Sequence, residues 1–155
     1  MDDLYNKMLL SLPEDFFAGW QWQAGDRAII PDGREVINID SQLRQQMHAG
    51  NMIAAIFPES AYNEYDLFHL NDLRPVPTQK QLQSIIKQHW LKSDDTVKDY
   101  DVLVFFQDWF RAHYGSNYTY GLRYKEIENE SIDCIWLRYT MHVIYNKNWN
   151  GEAWI

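Results

Sequence analysis

Hydrophobic residues follow two patterns along this chain: alternation and short apolar clusters from about Trp20 to Pro77, and mainly helical spacing before and after that stretch. Leu4, Met8 and Leu12 share a face with Tyr5 and Leu9 beside them, which predicts a short helix over residues 2–11, stopped by Pro13. Trp20-Gln21-Trp22-Gln23 alternates at strand period, and Arg27-Ala28-Ile29-Ile30 resumes that character beyond Gly25-Asp26. Pro31-Asp32-Gly33 is a turn signal, because proline presets φ and glycine accepts positive φ. Val36, Ile37 and Ile39 then return, so residues 20–39 read as strands joined by a hairpin. Residues 41–50 fit a short helix, capped by Ser41 and stopped by Gly50, as well as a polar hairpin arm. Strands are expected over Met52 to Phe57 and Tyr65 to Leu70, with a loop over Glu59 to Glu64. Pro75 and Pro77 hold Leu73 to Pro77 extended.

From Thr78 the period changes. Thr78-Gln79-Lys80-Gln81 matches a capping box, and Leu82, Ile85, Ile86 and Trp90 follow on one helical face. A second helix is predicted from about Lys98 to Tyr114, its stripe made of Val102, Phe105, Phe106, Trp109, Phe110 and His113. Tyr118, Tyr120, Leu122 and Tyr124 alternate as in a short strand. The last helix starts at Ser131 and Asp133, carries Ile132, Ile135, Trp136, Tyr139 and Val143 as its stripe, and closes at Asn146 in a left-handed conformation. Two tryptophans, Trp149 and Trp154, follow in a hook that is expected to dock on the body of the protein.

Strands first and helices afterwards predict an α+β fold. The expected architecture is a small antiparallel sheet, with an SH3-like barrel as the alternative arrangement, packed by about three helices from the second half. One domain is expected over residues 1–155, with a β-rich subregion at about 20–77 and a helical one at about 78–155. Aromatic residues make up 15% of the chain, enough for a core with rings to spare for a binding surface.

Charge narrows the function classes. The net charge is −8, from 14 Lys and Arg against 22 Asp and Glu, with no basic run, so direct nucleic-acid binding is disfavoured. Cys134, the single cysteine, sits in an apolar helix and reads as a buried small hydrophobe. The opening residues lack a signal-peptide pattern, and no apolar run is long enough for a membrane span. A cytoplasmic protein is the expectation.

Asp72-Leu73-Arg74-Pro75-Val76-Pro77-Thr78-Gln79-Lys80-Gln81-Leu82 and Trp136-Leu137-Arg138-Tyr139-Thr140-Met141, with Lys147-Asn148-Trp149-Asn150-Gly151-Glu152-Ala153-Trp154, carry a resemblance. In these segments the chain resembles small uncharacterised proteins encoded by bacteriophages and prophages. They share a Leu-Pro-x-Gln-x-Gln-Leu helix opening and a Trp-Leu-x4-Met helix followed by a Lys-x-Trp-(Asp or Asn)-Gly-x-x-Trp tail. The resemblance implies a phage or prophage gene product acting in a bacterial host cell, and brings no catalytic residues.

No phosphate loop, nucleophile elbow or dinucleotide fingerprint is present, and no cofactor is expected. Asp66, His69 and Asp72 are the weak candidates for a metal, spaced by three residues. His89, His113 and His142 lie on or beside helical stripes and would form a titratable or metal-binding cluster if they converged. Trp20 and Trp22, with Tyr118, Tyr120 and Tyr124, are the candidates for an aromatic binding surface, core packing being the plainer reading. The expected function is that of an accessory protein that binds another protein and has no catalysis of its own. The alternatives are a small enzyme or ligand- or metal-binding domain whose site forms only in the fold, and a virion structural or assembly component.

Overall fold

A computed structural model gives the architecture and describes residues 3–40, 51–60, 64–115 and 130–155. In chain order the elements are α1 (Asp3–Leu10), a 3-10 turn (Glu14–Phe17), β1 (Arg27–Ile29), β2 (Glu35–Asn38), β3 (Met52–Ile56), β4 (Asp66–His69), a second 3-10 turn (Leu70–Asp72), β5 (Arg74–Val76), α2 (Gln79–Leu91), α3 (Asp99–Phe110), a π-turn (Arg111–Gly115) and α4 (Ile132–Tyr145). The fold is α+β, as the sequence predicts. The chain divides into two compact units, residues 9–77 with the five strands of the described residues and residues 1–8 with 78–155.

The strand unit is one antiparallel sheet in the order β4-β3-β2-β1-β5. The turn between β1 and β2 is closed by Gly33 N donating to Ile30 O at 2.9 Å, with Gly33 at φ +88°. Asp32 Oδ1 accepts from Arg34 N at 2.9 Å, so the Pro-Asp-Gly turn forms where its chemistry dictates. Pairing of Ala28 with Val36 and Asn38 with Ala55 sets the register, and Trp22, Ala28, Ile30, Val36, Ile53, Ala55 and Leu73 form the buried cluster. Asn38 and Asp40 are buried polar residues of the same unit: Asp40 Oδ2 accepts from Ala54 N at 2.7 Å, and Asn38 Nδ2 donates to Gln23 O at 2.8 Å. Both thereby satisfy groups that burial would otherwise leave unpaired.

Two expectations are corrected here. The sheet does not close into a barrel: β5 returns to pair with β1, while β4 and β5 remain the two edges. Trp20 to Gln23 is not a strand, and β1 begins only at Arg27. Asp26 Oδ2 accepts from Gln23 N at 2.8 Å and Gly25 stands at φ +93°, so a side-chain-capped turn holds this segment instead of a ladder. Residues 41–50 lie outside the described residues.

In the helical unit the local signals are realised. Thr78 N donates to Gln81 Oε1 at 2.8 Å and Gln81 N donates to Thr78 Oγ1 at 3.3 Å, completing the capping box of α2. Cys134 N donates to Ser131 Oγ at the start of α4, and Asn146 ends it at φ +51°. α4 is more deeply buried than one stripe: Cys134, Ile135, Trp136, Leu137, Tyr139, Thr140 and Met141 are all covered, whereas Ile132, expected in the stripe, is exposed. The C-terminal hook is a tight hairpin, with Asn148 and Ile155 exchanging backbone hydrogen bonds of 2.8 and 2.9 Å. Asn150 Oδ1 accepts from Glu152 N and Ala153 N, and Gly151 at φ +103° makes the bend. The hook docks on α1: Trp154 Nε1 donates to Met8 O at 3.1 Å and Lys7 Nζ to Gly151 O at 3.2 Å. Arg138 on α4 links Glu130 to the Trp149 carbonyl, through Nη2 and Nη1. Among the described residues no helix is long and apolar enough to cross a membrane.

Candidate interaction surface

Helix α3 starts with charges that suit it. Lys98 N donates to Asp101 Oδ2 at 2.8 Å, and Asp99 and Asp101 stand in the first turn, where the helix dipole favours anions. Its inner side packs on the helical core. Val102 is buried, Phe106 stacks on Trp136 with centroids 3.8 Å apart, and Trp109 lies 5.2 Å from the ring of Tyr139. Burial pushes the Tyr139 phenol up to about 12, the nearby Asp108 carboxylate adding to the effect.

The outer side is apolar as well. Eight of the twelve residues from Asp99 to Phe110 are apolar, so the helix has more hydrophobic surface than one contact face can absorb. At about 100° per residue, Tyr100, Leu103, Val104 and Gln107 share the outward face. Tyr100 is 60% exposed, Leu103 47% and Val104 51%. Phe105, expected in the buried stripe, is 55% exposed although it meets Trp90 edge-on at 5.5 Å. Leaving a large apolar side chain in water forgoes roughly 1.5–3 kcal/mol of burial each, a reserve that a partner can recover.

Acidic residues border this face. The span from Asp94 to Asp108 holds Asp94, Asp95, Asp99, Asp101 and Asp108 against Lys98, five negative charges to one positive. Asp99 accepts from Lys87 Nζ at 2.7 Å but is itself 91% exposed, a surface pair of small energetic weight. Hydrogen bonds from the hydroxyl and backbone N–H of Thr96 hold the Asp94 carboxyl below its ordinary pKa. Lys98 and Arg111 stand at the two ends of the helix.

The residues singled out from the sequence are placed differently. Trp22 is 7% exposed and Trp20 packs against the same sheet core, their rings 6.2 Å apart, so this pair is core rather than an open binding surface. They sit there because the capped turn before β1 folds the Trp20–Gln23 segment onto the sheet. Tyr118, Tyr120 and Tyr124 lie outside the described residues. Asp66 and His69 are on β4 and Asp72 is on the second 3-10 turn, where His69 Nδ1 accepts from Asn71 N. Residues three apart on a strand point to opposite faces, and no group of three His, Cys, Asp or Glu among the described residues is placed to hold a metal. His113 and His142 do come together, with ring centroids 6.1 Å apart and Trp109 stacked on His113 at 4.6 Å, while His89 lies on α2.

A groove of about 580 Å³ lies in the strand unit, between the first 3-10 turn and the start of β5. Leu10, Phe17, Ile29 and Pro75 contribute to its apolar lining, and Glu14, Asn71, Asp72 and Arg74 supply its polar groups. Tyr100, Leu103 and Val104 were not singled out from the sequence. The available signal was the all-round apolar composition of α3. No known protein family, curated protein or solved structure matches the chain.

Proposed function

We propose that the protein acts by binding another protein, without catalysis of its own, as an accessory product of a bacteriophage or prophage gene working in the bacterial cytoplasm. The observation that carries this reading is the exposed face of α3, where Tyr100, Leu103 and Val104 are each between 47% and 60% exposed on a helix whose other side packs through Val102, Phe106 and Trp109. Interface hot spots draw on large apolar and aromatic side chains that become desolvated on binding, and an exposed cluster of them supports an interaction site. The acidic border suits recognition by charge as well as by area. The phage and prophage context rests on the resemblance of the Pro-Gln segment and the tryptophan tail.

The test compares tagged full-length protein with its Leu103→Asp variant in capture from bacterial lysate, both checked for equal thermal stability. A partner retained in stoichiometric amount by the parent and lost by L103D is the expected result. An identical set of retained proteins would count against the α3 face as the contact.

A further inference from the structure

We infer that the partner presents to α3 a basic amphipathic helix, an inference that rests on the protein-binding reading above. Tyr100, Leu103, Val104 and Gln107 are spaced at i, i+3, i+4 and i+7. That spacing makes a narrow ridge along one helix, a shape that ridge-into-groove packing matches with a second helix. Helix-in-groove recognition reads such anchors at this period.

Charge selects among helices. Asp101 and Asp108 fall on one flank of the ridge and Asp99 on the other, and α3 itself has no lysine or arginine between Asp99 and Phe110. A partner with lysine or arginine beside its apolar stripe is attracted on both flanks. A second copy of this chain would bring the same three aspartates, from a molecule of net charge −8, so self-pairing is opposed. The Asp99 carboxylate, 91% exposed, pairs with Lys87, a surface pair that a competing cation in the partner can replace at little cost.

The test uses full-length protein and a synthetic helix of leucine and lysine with leucine on one face, with the same peptide carrying glutamate for lysine as its counterpart. Titration calorimetry is expected to show the lysine peptide binding at least about tenfold more tightly, a factor worth about 1.4 kcal/mol. L103D should weaken that binding by a similar factor, and so should raising the salt to about 0.5 M, which shortens the screening length to a few ångströms. Asp99→Asn with Asp108→Asn should remove most of the preference for lysine while leaving the fold intact. Equal binding of both peptides, or insensitivity to L103D, would overturn the inference. So would a dimer of the free protein in light scattering at neutral pH that L103D dissolves, since the occupant would then be a second copy. If the lysine peptide fails while capture from lysate remains sensitive to L103D, the partner chemistry is wrong and the surface is right. If neither responds to L103D, the protein-binding reading fails with it.

Discussion

At the residue scale, Tyr139 links packing to pH. Its ring lies 5.3 Å from Phe106 and 5.2 Å from Trp109, and burial raises its phenol to about 12 from an ordinary 10.0, helped by Asp108. A raised pKa means that the folded protein holds this proton more tightly than the unfolded chain does. The contribution is intact below pH 10.0 and is lost as pH rises toward 12, where the unfolded chain ionises first. Tyr139→Phe keeps the ring and removes the proton. Denaturant unfolding at several alkaline pH values is expected to show parent stability falling over this interval more steeply than that of the phenylalanine variant. Equal slopes would show that Tyr139 does not titrate differently in the fold.

At the element scale, the hook fastens the end of the chain through few atoms. Trp149 and Trp154 are both buried with rings 5.1 Å apart, and Trp154 Nε1 donates to Met8 O. Trp154→Ala should cost about 3–5 kcal/mol, the range for emptying a buried aromatic site. Trp154→Phe should cost about 1 kcal/mol or somewhat more, because the Met8 carbonyl loses a donor. Glu152→Ala, on the exposed bend, should stay within about 0.5 kcal/mol of the parent. Chemical denaturation orders the three, and a silent Trp154→Ala would mean that the hook does not fasten the unit. The sequence announced this hook, the capping box at Thr78 and the left-handed Asn146, because each depends on residues a few positions apart. Trp20 and Trp22 misled because alternation shows only that a strand is compatible. Whether a ladder forms depends on a neighbour, and here Asp26 caps the backbone first. For α3 the limit was different: periodicity identifies the covered face only when the opposite face is polar. The expected stripe packs inward at Val102, Phe106 and Trp109, but with Leu103 and Val104 apolar on the other side the pattern did not show that a second apolar face stays open or that Phe105 is exposed.

At the scale of the whole molecule, an exposed apolar ridge is tolerable while copies repel one another. With a net charge of −8 at pH 7, molecules approach against like charge, and the ridge on α3 is kept from its own kind. Near pH 5.0, the isoelectric point of the sequence, that protection disappears while the exposure of Tyr100, Leu103 and Val104 remains. Proteins near zero net charge with an open apolar patch associate. Light scattering of the parent should therefore rise reversibly as the pH is lowered toward 5.0 and stay low at pH 7. L103D should suppress the rise, but it also adds a negative charge, so Gln88→Asp on the exposed side of α2 serves as the charge-matched control. Association in the parent and in Q88D, with none in L103D, would assign it to the ridge. A rise of equal size in all three would assign it to charge neutralisation elsewhere on the surface and leave the ridge without a part in self-association. The same three proteins at neutral pH should all be monomers, because repulsion opposes self-pairing at that pH in each of them, and a basic partner is the one class of neighbour for which charge and apolar area act in the same direction.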